Sequence, residues 1–350
     1  MKQLFIAAII GLSTVTSQLA FSEPKAASPV STIVDTAFVQ AALKRGAIVW
    51  DTRHADDYKK GHIPGAVNIG EIGKVLRKDN DEDYIALADM EKILGAAGID
   101  PAKEIVVYGD KGNPFVYFGL TTVQYLGGKQ GRIYHGGIDD WKAAGQALST
   151  EPDKLAPVVL KLKPEAGITI ATPDVVKGVK RKSVQVVDVR TPGEFSGEDI
   201  RAIRGGHIPG AVNIPYEQNW ADPETPAKLA KKQVSTKDGL ALKSRDDLKK
   251  LYASLDPNKE TVVYCQSGVR ASETATVMKD LGFKKVRIYD SSWLGYGNTL
   301  DAPAENVTFF NVGALNGRLA GMQKRIDTLE KQLAETKAPG ILVPPAALPK

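Results

Sequence analysis

The chain has a single cysteine in 350 residues, Cys265, so no intramolecular disulfide can form and the core must hold the fold. Histidine is almost as scarce. His54, His62, His135 and His207 are the only four, and none stands at metal-ligand spacing from the cysteine or from a second histidine. No metal site and no cofactor is therefore expected. The formal charge of +5 is spread along the chain, without a basic block interleaved with aromatic residues, so nucleic acid is not an expected partner. Beyond the first residues no apolar run approaches the ~20 residues that cross a bilayer. The length points to two domains.

Met1-Lys2-Gln3 precede the apolar run Leu4–Leu12, and Ala20-Phe21-Ser22 supplies small residues where a signal peptidase cuts. This pattern predicts a signal peptide at 1–22, hence a periplasmic or secreted protein with no stable membrane span after cleavage. An uncleaved anchor fits less well, because the apolar stretch is short and is followed by Ser and Thr.

Two segments repeat without change. Gly61–Ile69 and Gly206–Ile214 both read GHIPGAVNI. Around them Asp51-Thr52-Arg53 corresponds to Asp188-Val189-Arg190, Ile105–Tyr108 to Thr261–Tyr264, and Arg132-Ile133-Tyr134 to Arg287-Ile288-Tyr289. Because the elements keep type and order, the chain is a duplicated domain and not a solenoid of short repeats. In each half short β-branched strands alternate with helical stretches, which predicts an α/β fold with a mainly parallel sheet flanked by helices. The expected domains are 31–148 and 166–310, joined by a Pro-containing linker at 149–165. A polar insertion at 216–244 either covers the site or is a solvated excursion.

Cys265 follows the apolar run Val262-Val263-Tyr264 and precedes Gln266-Ser267-Gly268-Val269-Arg270-Ala271, with a helix expected from Ser272 to Leu281. A buried structural cysteine is a common fate for this residue type. Here the cysteine sits instead at the C-terminal end of a strand, where ligands bind in open α/β sheets, and Gly268 permits the positive φ that a cradle of inward amides needs. Those amides and Arg270 are expected to favour the thiolate. A thiolate so placed can take a sulfane sulfur as a persulfide and pass it to a second nucleophile, with the amides of Gln266 to Ala271 holding the charge.

The duplicated α/β frame, Asp-x-Arg, Gly-His-Ile-Pro-Gly-Ala and Cys-x-x-Gly-x-Arg after Val-Val-Tyr together resemble the rhodanese family of sulfurtransferases, from about Ser31 to Phe310. The resemblance implies two tandem rhodanese-like domains, of which the second carries the catalytic Cys265 while Gly109 stands at the matching position of the first. It implies a small sulfur donor such as thiosulfate, and cyanide or a thiol as acceptor. Two departures bear on the donor. Glu194 occupies a position that is basic in thiosulfate and mercaptopyruvate sulfurtransferases, and Gln266-Ser267 replace two residues that are often basic. Arg201, Arg204 or lysines of the insertion are the candidates to compensate. Related phosphatases have five residues between cysteine and arginine. The four between Cys265 and Arg270 suit a single sulfur better than a phosphate. A non-turnover sulfur or selenium carrier is the alternative to an enzyme.

Because His62 and His207, Asp51 and Asp188, and Arg53 and Arg190 recur in both halves, they are expected to be structural, with Asp188 and Arg190 supporting the cysteine loop from behind. Downstream, Val312, Leu315, Leu319, Met322, Ile326, Leu329 and Leu333 alternate spacings of three and four within a helix expected at 311–337. This seam predicts self-association through 312–333. The alternative is an amphipathic helix lying on its own domain. Residues 338–350 form a Pro-rich tail expected to be flexible.

Overall fold

The structure, a computed structural model, describes residues 31–78 and 83–337. The signal peptide expected at 1–22 and the tail expected at 338–350 lie outside the described residues. In the first half, Ile33–Val34 (β1), Ile48–Asp51 (β2), Ala66–Asn68 (β3), Ile105–Tyr108 (β4) and Gly131–Tyr134 (β5) form a parallel sheet of order β1-β5-β4-β2-β3. The second half repeats it with Thr169–Ile170 (β6), Gln185–Asp188 (β7), Val212–Asn213 (β9), Thr261–Tyr264 (β10) and Val286–Tyr289 (β11), in the order β6-β11-β10-β7-β9. An addition peculiar to the second half is Arg204–His207 (β8), paired antiparallel with Glu305–Phe309 (β12). Every residue of β2, β4 and β10 is buried, as a parallel sheet covered on both faces requires.

The repeated nonapeptide has a packing role in each half. His62 stacks on Tyr58 with ring centroids 3.7 Å apart and its Nδ1 donates to Tyr58 O; His207 stacks on Phe195 at the same 3.7 Å and its Nδ1 donates to Phe195 O. Asp51–Arg53 and Asp188–Arg190 are buried ion pairs of 2.6 Å. Each arginine also donates to the carbonyl of the glycine opening the motif, Gly61 or Gly206. One set of contacts therefore ties the Asp-x-Arg turn to the nonapeptide twice over.

The halves meet along two helices, Phe115–Tyr125 and Val269–Leu281. Both are buried over most of their circumference, which is why the second carries Ser272, Glu273, Thr274 and Thr276 inside rather than on a wet face. Each of three of these side chains has a hydrogen-bond partner: Ser272 Oγ donates to Gly268 O, Thr276 Oγ1 to Ser272 O, and Trp220 Nε1 donates to Glu273 Oε1 at 2.9 Å. That helix begins at Val269, three residues before the expected Ser272, because Gly268 in the left-handed region (φ 81°) already serves as its N-cap.

The segment after the third sheet strand crosses to the other half in both domains. From the first half, Arg77 reaches the loop after Cys265. From the second, the insertion sends Leu240 against Gly112, its carbonyl accepting from His135 Nε2 at 2.8 Å, while Lys237 pairs with Asp139. The insertion thus neither lies free in solvent nor serves Cys265 alone. Its start, Tyr216–Trp220, flanks the Val269–Leu281 helix, and its later part fills the loop of the half without a cysteine.

The helix Val312–Lys337 leaves its apolar seam uncovered. Val312, Leu319, Met322, Ile326, Leu329 and Leu333 are each 46–62% exposed, so the seam is not laid on the domain.

Candidate active site

Cys265 directly follows β10 at the carboxyl edge of the second sheet and is 1% exposed, at the floor of the loop. Its carbonyl accepts from Trp293 N at 3.0 Å, and its amide donates to Ser292 Oγ at 3.1 Å. The Ser292 hydroxyl also accepts from Gly268 N at 2.9 Å and donates to Tyr289 O at 2.7 Å, so one side chain closes the loop at both ends. Holding that hydroxyl in place puts Ser292 at φ 49°, a strained conformation for a residue with a Cβ.

Of the amides expected to face the sulfur, Gly268 N is therefore already engaged. Those of Gln266 and Ser267, and of Val269, Arg270 and Ala271 in the first helical turn, have no acceptor among the described residues. Gly268 is irreplaceable on steric grounds as well as by its φ, since a Cβ there would sit 2.7 Å from Asp290 Oδ1.

Arg270 stands close enough to Cys265 to interact with its charge, and it is also committed to a carboxylate. Its guanidinium is held by both oxygens of Glu194, at 2.8 and 2.9 Å, and Arg201 reaches the same carboxylate at 3.1 Å. Glu194 is placed there by the start of its helix: Thr191 and Glu194 form a capping box with Pro192 in the first turn. Burial alone would raise the Glu194 carboxyl, but Arg270, the Thr191 backbone and Arg201 overcome this and hold it down to about 2. Glu217 stands nearby, and burial pushes its carboxyl upward. Burial, with Glu217 and Glu273 nearby, also pushes up the Tyr216 phenol, which faces Arg270 and Cys265.

Among the cations considered as compensation, Arg201 reaches the site, and it is shared with Glu194. Arg204 spends Nη2 on the carbonyls of Tyr296, Thr299 and Ala302. Lys228 pairs with Asp222, Lys237 with Asp139, and Lys243 donates to Gln218 O. Asp188 and Arg190 lie behind the loop, with the Arg190 guanidinium 4.7 Å over the Trp293 ring and 5.5 Å over that of Tyr264.

Sequence reading missed Ser292, Arg77, Tyr216 and Glu217. The repeat held one usable signal. Aligning Arg132-Ile133-Tyr134 with Arg287-Ile288-Tyr289 sets Gly137 opposite Ser292, and Gly137 takes the matching φ of 54° while Ile138 N donates to Gly109 O just as Trp293 N does to Cys265 O. The serine is thus present only where the cysteine is. Arg77 had no local signal, because its role arises from a contact across 190 residues.

A family model described as rhodanese-like domain matches residues 35–144 and again 172–299. A thiosulfate sulfurtransferase of Corynebacterium glutamicum is 36% identical over 262 residues, covering 71% of this chain and 81% of that protein. A putative thiosulfate sulfurtransferase of Saccharopolyspora erythraea is 30% identical over 288 residues, covering 78% and 96%. Among solved structures, the anaerobic ergothioneine biosynthesis enzyme from Chlorobium limicola shares the fold, with a TM-score of 0.66 at 21% identity over 78% of this chain and 70% of that one.

Proposed function

The chain belongs to the rhodanese family and is a sulfurtransferase; we propose that its turnover runs through a persulfide on Cys265. The observation that carries this reading is the buried thiol at the carboxyl end of β10, followed by loop and first-turn amides that have no acceptor among the described residues. With thiosulfate, the Cys265 thiolate attacks the outer sulfur, the S–S bond of the donor breaks, and sulfite leaves with the electron pair. The enzyme then carries Cys265–S–S⁻. Cyanide or a thiolate attacks the terminal sulfur, and the thiolate of Cys265 is regenerated as leaving group. The open amides hold the anionic persulfide between the two steps, at the N-terminus of the Val269–Leu281 helix.

The mouth of this site is poor in free positive charge. Arg270 and Arg201 are both bound to Glu194, and Glu217 adds a further carboxyl group. These features favour a donor with less charge than thiosulfate, such as a thiol-bound persulfide. Thiosulfate is then turned over with a high KM.

The test is turnover of thiosulfate, mercaptopyruvate and polysulfide with cyanide, followed as thiocyanate for the parent protein and for Cys265→Ser. Cys265-dependent thiocyanate and a mass gain of one sulfur on the resting protein support the proposal. Absence of product with all three donors rejects the enzyme, and a one-sulfur adduct without turnover assigns a carrier instead.

A further inference from the structure

A cavity of about 780 Å³ lies away from Cys265, between the halves at the opposite, amino-terminal edge of the second sheet. Its walls come from the end of the Phe115–Tyr125 helix and the turn after it, the end of the linker, and the entries to β10 and β11. The charge it gathers is uneven. Lys129, Lys279, Lys284, Lys285 and Arg287 line it, against the carboxylates of Glu165 and Glu260. Arg287 is paired with Glu260 at 3.4 Å and donates to Thr169 O, so its charge is partly spent. The four lysines have no ion-pair partner among the described residues.

Lys279 is the most telling of them. It lies on the Val269–Leu281 helix, half-buried, and burial without a compensating carboxylate pushes its ammonium down to about 8. Desolvating a cation without a partner is unfavourable, and an anion in the cavity would relieve it. The cavity also has an extension. An adjoining one of about 680 Å³ shares Gly127, Lys129 and Glu165 and adds Lys161 and Lys163 from the linker. Gly127 and Gly167 leave the wall without side chains at two points: a Cβ on Gly167 would meet nothing within 4 Å, and one on Gly127 only Lys163 O at 3.8 Å.

We propose that this trench is a binding site for an extended small-molecule polyanion built of tetrahedral oxyanion groups, held by Lys279, Lys284, Lys285 and Lys129 and reached also by Lys161 and Lys163. A concave trench with lysines along both walls suits a short chain of linked oxyanions better than a single one, because each added group meets another lysine. Phosphate and sulfur oxyanions share this chemistry. The site is independent of the chemistry at Cys265 and belongs to the surface where both halves and the linker meet.

The experiment is calorimetric titration of the full chain with tripolyphosphate, tetrathionate and orthophosphate at two ionic strengths. The parent protein is compared with Lys279→Gln and with the double variant Lys284→Gln/Lys285→Gln. Binding of tripolyphosphate or tetrathionate at least tenfold tighter than orthophosphate, weakened at higher salt and at least tenfold in the double variant, supports the site; whichever of the two binds tighter identifies the source of the oxyanions. Turnover at Cys265 is to stay unchanged in these variants. No saturable binding of either polyanion overturns the proposal, as does an affinity unaltered by all three substitutions. Binding only to anionic lipid vesicles, with none to the small polyanions, overturns it also.

Discussion

Arg77, from the half that has no cysteine, donates through Nη2 to the carbonyl of Ser267, two residues beyond Cys265, at 2.5 Å. The same nitrogen donates to Asp290 Oδ1 at 2.8 Å, and the guanidinium lies 4.8 Å over the Phe118 ring. The first domain thereby fixes which way one peptide of the catalytic loop points. Turning the Ser267 carbonyl toward Arg77 keeps an acceptor away from the anionic sulfur that the loop is to hold.

Arg77→Met removes this anchor and leaves Asp290 buried without its cation. A lost charged hydrogen bond costs ~1.5–3 kcal/mol, so a lower melting temperature is expected together with about a tenfold fall in kcat for thiocyanate formation. Stability alone does not establish a positioning role. The discriminating readout is the split between kcat and KM at a temperature well below unfolding: kcat is expected to fall with KM unchanged in Arg77→Met and to be partly restored in Arg77→Lys. An unchanged kcat with only a lower melting temperature would reduce Arg77 to a strut.

Glu194 offers a second handle. Its carboxyl falls from the usual 4.5 to about 2 in the folded protein, so the folded state binds fewer protons than the unfolded one across that interval. The contribution is present above pH 4.5 and is lost as pH falls from there toward 2. With allowance for solvent at the mouth it amounts to about 2 kcal/mol. In Glu194→Gln, denaturant titrations are expected to show a flatter acid limb. Freed from the carboxylate, Arg270 and Arg201 should lower the KM for thiosulfate about tenfold, corresponding to ~1.4 kcal/mol. A KM that rises instead would mean that the Glu194–Arg270 pair is needed to shape the loop.

Ser292 is predicted to be a loop clasp whose removal is felt at the thiol. Ser292→Ala strands the amides of Cys265 and Gly268 in a buried site, at a cost on the order of 3 kcal/mol. Ser292→Gly loses the same hydroxyl but relieves the positive φ, worth ~1–2 kcal/mol, and should therefore unfold at higher denaturant than Ser292→Ala. Both are expected to lose activity. Equal activity in either variant and the parent would show that the amide cradle holds without the serine.

What could be read in advance follows the range of the interactions. The two mainly parallel sheets and the shared succession of elements along the chain were legible because a duplicated motif and β-branched strands are local patterns, and one half checks the other. Cys265 was legible for the same reason, through its contrast with Gly109. The engagement of Arg270 was not, since Glu194 is 76 residues away and only the capping box at Thr191 brings its carboxylate to the loop. Nor was the polar interior of the Val269–Leu281 helix, because its burial is set by the Phe115–Tyr125 helix of the other half and not by its own periodicity.

The last prediction concerns the helix Val312–Lys337, which extends about 39 Å if straight. Six of its seven seam residues are exposed, and three heptads of Val, Leu, Met and Ile facing water are costly to leave uncovered. We propose that a second copy of the chain covers it, the two helices pairing through Val312, Leu319, Ile326 and Leu333 at one core position and Leu315, Met322 and Leu329 at the other. So short a coiled coil is marginal, so association is expected to be concentration-dependent. Light scattering of the full chain should give about twice the mass found for Ile326→Glu or for a form ending at Phe310, with thiocyanate turnover retained in all three. Equal masses at every concentration would end the idea.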